Sequence, residues 1–76
     1  MMSKAPSAVF TFHTTADAMA AERLCRENGI PGRLIPAPRA LTADCGIAWS
    51  SPPEQRERVA TLFAGAGIEY ADMRVL

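Results

Sequence analysis

The apolar and polar positions of this chain fall into short alternating runs separated by turn-forming residues. "AVFTFH" (Ala8 to His13) is β-branched and aromatic, too short for a helix, and is followed by two threonines, which predicts a buried central strand. In "TTADAMAAERLCRENG", Thr14 stands three residues before Asp17, the spacing at which a threonine oxygen caps a first helical turn. Ala18, Ala21, Leu24, Cys25 and Asn28 then share one stripe at helical spacing, and Gly29 supplies the stop. "GRLIP" (Gly32 to Pro36) and "GIAWS" (Gly46 to Ser50) predict two short strands. "SPPEQRERVATLFAGAG" predicts a second helix with Ser51 at the cap, Pro52 in the first turn and Glu54 as the capping-box acid. Val59, Leu62, Phe63 and Ala66 form its apolar face, and Gly65 and Gly67 mark its end. The last run, Ile68 to Leu76, alternates as a final strand.

The order βαββαβ points to a ferredoxin-like α+β sandwich: a four-stranded antiparallel sheet with both helices on one face. The expected spatial strand order is fourth, first, third, second. The first and third strands are expected to run side by side in the same direction. That places the loop after the second strand, and the last turn of the first helix, at the edge where the first strand begins. Cys25 is then expected nearer to Cys45 than to His13, which falls at the opposite edge together with both helix N-termini. On this reading His13 is a poor base for Cys45.

Seventy-six residues form a single domain, with residues 1–7 expected as a flexible N-terminus. Eight basic and eight acidic side chains cancel, so nothing in the net charge calls for nucleic acid or an anionic membrane as a partner. The opening "MMSKAPSAVFTF" lacks the apolar length of an export signal or a membrane span, which leads to the expectation of a cytoplasmic protein. Two cysteines in that compartment read as thiols. With one histidine they cannot complete a four-ligand zinc site within one chain, and no metal or cofactor is expected.

The stretch "PAPRALTADCG" lacks either apolar period. A connection between neighbouring antiparallel strands needs only about two to five residues, whereas about eight, Ala37 to Asp44, intervene here. Pro36 and Pro38 stiffen the exit from the second strand. Arg39 contributes a permanent forked cation suited to an anion, and Gly46 leaves room beside Cys45. A useful sulfur nucleophile must be a thiolate, near positive charge or backbone N–H groups and still accessible. Arg39 and the loop amides can supply that environment, while Asp44 opposes it if its carboxylate points the same way. Cys45 equally fits a half-buried residue that opens a strand, and Arg39 a solvated loop residue.

Outside the loop, simpler readings prevail. Cys25 lies on the apolar stripe of its helix and reads as core, with pairing to Cys45 left open by the sequence. His13 is a strand-end residue, and Trp49 is apolar area without the basic neighbours of a stacking platform. Glu22, Arg23, Arg26 and Glu27 form a mixed-charge solvent face. The side of the sheet away from the helices is expected to expose apolar area, Val9 and Thr11 if Phe10 and Phe12 face the helices or the reverse, which suits an interaction module that dimerises or binds a ligand through it.

With "FHTTADAMAAE", "GIPGRLIPAPRALTADCGIAW" and "GIEY" in place, the chain resembles the selenium/sulfur carrier protein-like family of small bacterial domains. The resemblance runs from Val9 to the last strand and is most specific at Pro36, Pro38, Arg39, Cys45 and Gly46, where P-x-P-R stands a short way before C-G. Leu41, Thr42, Ala43 and Asp44 stand where the resemblance leads to an expectation of small or polar residues with a serine and a glycine before the cysteine. The resemblance implies a persulfide or perselenide carried on Cys45 and stabilised by Arg39. It also implies a cysteine desulfurase-type donor and an acceptor protein, and a carrier more than a stand-alone enzyme.

Overall fold

The computed structural model describes residues 6–41 and 44–76. The expected flexibility of residues 1–7 falls mostly outside that range. The elements are β1 (Ala8–Thr11), α1 (Thr15–Glu27), β2 (Arg33–Pro36), β3 (Ile47–Ser51), a 3₁₀ turn (Pro53–Gln55), α2 (Arg56–Ala66) and β4 (Asp72–Val75). They form one sheet in the order β2-β3-β1-β4, the arrangement expected for a ferredoxin-like α+β fold. Among the described residues no helix is long and apolar enough to cross a membrane.

Local sequence explains most element ends. The Thr14 hydroxyl accepts the Asp17 N–H at 3.1 Å and caps α1. Gly67 ends α2 in the left-handed region at φ +74°. Ser51, expected as the cap of the second helix, is instead the last residue of β3, its hydroxyl buried without a hydrogen-bond partner among the described residues. The two prolines that follow favour a 3₁₀ turn, and α2 starts only at Arg56.

One face of the sheet carries the main core. Ala18, Ala21 and Cys25 of α1 and Val59 and Phe63 of α2 pack against Ala8, Phe10 and Trp49. Small side chains on α1 allow close approach to the sheet, while aromatic rings fill the space below α2. Phe63 meets Phe10 at 5.3 Å and Phe12 at 5.8 Å, both edge to face, and Tyr70 meets Phe10 at 5.1 Å. Burial of such a phenylalanine contributes about 2–3 kcal/mol. Gly32 is required by contact as well as by conformation. At φ +155°, a Cβ there would lie 2.5 Å from both the Ser50 carbonyl oxygen and the Trp49 ring.

The strand directions correct one expectation. β1 and β3 are antiparallel, with Ala8 opposite Ser51 and Thr11 opposite Ala48, where a shared direction was expected. The connection between β2 and β3 makes those neighbours antiparallel, and α1 returns the chain so that β2 runs with β1. β3, lying between β2 and β1, must oppose both. The loop that opens β3 therefore meets the end of β1, and the N-terminus of α1 lies at that same end. α1 carries Cys25 to the opposite edge, away from Cys45, and both thiols are free.

The second face departs from expectation as well. Val9 and Thr11 do not present open apolar area, being only 3% and 0% exposed. A small second core of Val9, Ala48 and Leu41, with Ile35 and Ala37 against it, forms where the loop folds back over the sheet.

Leu41→Ala should therefore lower the unfolding free energy in urea by about 2–3 kcal/mol, the cost of removing a large buried side chain; a change below about 0.5 kcal/mol would mean that the loop does not cover the sheet in solution. Burial raises the Cys25 thiol from 9.0 to about 11. Between those values the unfolded chain has lost a proton that the folded chain keeps, so stability falls as pH rises from about 9 to about 11. Cys25→Ala should show a shallower decline over that range in parallel denaturation curves.

Candidate functional site

Residues 37–46 link β2 to β3, and each end of the link is tied down. Pro36 pairs with Ile47 across the strands, and the Ala37 N–H donates to the Gly46 carbonyl at 2.9 Å, closing a neck. Beyond it, the Leu41 N–H donates to the Pro38 carbonyl at 3.1 Å, which makes Pro38–Leu41 a β-turn with Arg39 and Ala40 at its centre. The turn aims Leu41 down onto Val9 and Ala48, where it is 6% exposed. Two of the motif residues thus have backbone roles. Proline at 36 closes an edge strand and at 38 opens the turn, both positions tolerant of a missing donor.

After Thr42 and Ala43, which lie outside the described residues, the chain is tethered again. The Asp44 N–H donates to the Phe12 carbonyl at 3.3 Å, pinning the return of the loop to the end of β1. The Asp44 carboxylate reaches His13, with Oδ2 2.7 Å from Nδ1. His13 and Asp44 are 51% and 63% exposed at the side chain, so the pair adds little stability. Its effect is to direct the carboxylate toward the imidazole.

Cys45 follows directly. Its thiol donates to the Ile47 carbonyl at 3.4 Å, and the side chain is half-buried, resting against the rim of the helix-side core. Gly46 then turns the chain into β3 at φ +77°, and a Cβ there would meet nothing within 4 Å. The glycine is thus required by backbone conformation, and the space beside it is open.

The candidate residues are brought together in part. Pro36, Pro38, Arg39, Cys45 and Gly46 all lie on one short connection. Arg39 is exposed at the turn tip and makes no hydrogen bond or ion pair with another described residue, Cys45 included. The polar side chains brought to the cysteine end of the loop are His13 and Asp44. The expectation that His13 lies at the far edge is overturned by the antiparallel β1–β3 pairing, which sets the end of β1 beside the start of β3. A signal for this was present in the sequence, since a direct link between the second and third strands already implies that β3 opposes both neighbours.

The same pairing reverses the expectation for the first helix dipole. α1 begins at Thr15, two residues past His13, so its partially positive end lies at the cysteine end of the sheet. Only α2, which follows the other end of β3, starts at the opposite edge. Among the described residues no group of three His, Cys, Asp or Glu side chains converges as a metal site.

Neither the curated proteins nor the solved structures contain a significant match to this chain. One family model covers residues 7–74, which takes in both helices and all of the sheet except the last residue of β4. On that match the chain belongs to the family described as "Putative Se/S carrier protein-like".

Proposed function

We propose that this protein carries a sulfur or selenium atom on Cys45. The reading is supported chiefly by the placement of that thiol: half-buried but reachable, beside an open space at Gly46, at the end of the sheet where α1 presents its positive pole. Family membership over residues 7–74 supports the same chemistry. Cys25 is a poor rival, because it is fully buried and its thiol is pushed up to about 11.

In the transfer, the Cys45 thiolate attacks the terminal sulfur of a donor persulfide. A bond forms between Cys45 Sγ and that sulfur, and the donor's own S–S bond breaks. Its electron pair leaves with the donor as a thiolate, which then takes a proton. No external oxidant or reductant is needed, and a perselenide would move in the same way. His13 holds the Asp44 carboxylate by hydrogen bond, which limits its repulsion of the neighbouring anion. Arg39, on its turn, supplies a cation that closes on the loaded sulfur or on the acidic surface of a donor of the cysteine desulfurase type. An acceptor protein would take the atom by the reverse displacement, so the cycle is that of a carrier.

Dimerisation through the sheet is the weaker reading, since the apolar residues it would cover already lie beneath Leu41.

Incubation with a cysteine desulfurase and cysteine should add one sulfur atom to the wild type by intact mass. Cys45→Ala should gain none and Cys25→Ala should load normally; an adduct on Cys45→Ala would refute the assignment. Arg39→Ala should load about threefold to tenfold more slowly, the scale of a partly screened charge. With iodoacetamide at neutral pH, Cys45 should react much faster than Cys25, which is fully buried and whose thiol is pushed up to about 11. Equal rates would remove the distinction between the two thiols.

A further inference from the structure

The chain is neutral as a whole, but its arginines differ in their partners. On α1, Arg26 lies 3.2 Å from Glu22 and Arg23 lies 3.8 Å from Glu27. Across the sheet, the register sets Arg33, Ser50, Val9 and Arg74 in one row on the face that the loop partly covers. Neither arginine of that row makes an ion pair with a described residue, and nor does Arg39 on the turn above.

Beside this row lies a cleft of about 510 Å³, within the range of small-molecule sites. Val9, Ile35 and Pro36 of the sheet, Pro38 of the loop, and Leu76 give it an apolar lining, while Arg33 and the hydroxyls of Ser7 and Ser50 supply its polar groups. No acidic side chain lines it. A neighbouring hollow of about 580 Å³ shares Arg33, Ser7 and Ser50 but includes Glu54, whose carboxylate disfavours an anion there. Leu41 and the Ala37–Gly46 hydrogen bond hold the loop wall in place, so the cleft is bounded by anchored backbone.

We propose that this cleft binds a small amphipathic carboxylate. Its saturated chain lies along Ile35, Leu76 and the two prolines, and its head group accepts hydrogen bonds from the Arg33 guanidinium and the Ser50 hydroxyl. A single forked cation with hydroxyls beside it matches the two oxygens of a planar monoanion. A phosphate dianion calls for more positive charge than one arginine offers. Cys45 does not line the cleft and rests against the core on the helix side, so the site does not depend on sulfur chemistry, although Pro36 and Pro38 belong to the connection that carries Cys45.

The test is a titration of the ¹⁵N-labelled full chain with octanoate, kept below its micelle-forming concentration and followed by amide chemical shifts. Saturable shifts should concentrate at Val9, Ile35, Ser50 and Leu76. Arg33→Gln should weaken binding at least about fivefold, the loss of a charge-assisted hydrogen-bonded pair, and 1-octanol should bind the wild type with a similar deficit. Inorganic phosphate should give no saturable shift, and Cys45→Ala should bind octanoate as the wild type does. The proposal is overturned if octanoate shifts do not saturate, if they centre on α1 and α2, if Arg33→Gln binds equally well, or if phosphate binds as tightly as octanoate.

Discussion

The pairing of β1 with β3 is the constraint on which the rest of the molecule depends. Its register, Thr11 opposite Ala48, sets the last residues of β1 beside the first residues of β3. His13, Asp44, Cys45 and the start of α1 meet at one end of the sheet for that reason alone. The same pairing sends the last turn of α1 to the far end and separates the two thiols by the length of the sheet.

The loop between β2 and β3 has a structural role as well as a chemical one. A four-stranded sheet with helices on one side leaves its other side open, and in a chain of this length exposed valine and alanine on that side would cost stability. Leu41 removes the cost by folding back onto Val9 and Ala48. The prolines and the Pro38–Leu41 turn deliver it there. Arg39 rides at the tip of the same turn, so the residue that presents the cation and the residue that closes the second core are positioned by one piece of backbone. The departure at Leu41 from the small or polar residues expected before the cysteine thus has a packing reason.

Much of this was legible in the chain. Thr14 as a cap, the small-residue stripe of α1, Gly67 as a stop, the order of elements and the strand order all follow from local patterns whose physical causes act within a few residues. Ser51 was misread because a cap signature and a strand end share the same residue types, and the following prolines prefer a 3₁₀ turn. The place of His13 depends on strand direction, which follows from the direct link between β2 and β3 and not from any pattern around His13 itself. Leu41 looked like a loop residue because its partners are Val9 and Ala48, distant in sequence and on another strand.

The sequence alone determined the elements, the class of fold, the family resemblance and the loop worth attention, since caps, glycines, prolines and alternating apolar residues act over short spans. The tertiary structure decided which groups surround the thiol, which face of the sheet is covered, and where Arg33 borders a cleft. Those outcomes depend on strand direction and register, because an antiparallel ladder brings together residues that are far apart along the chain.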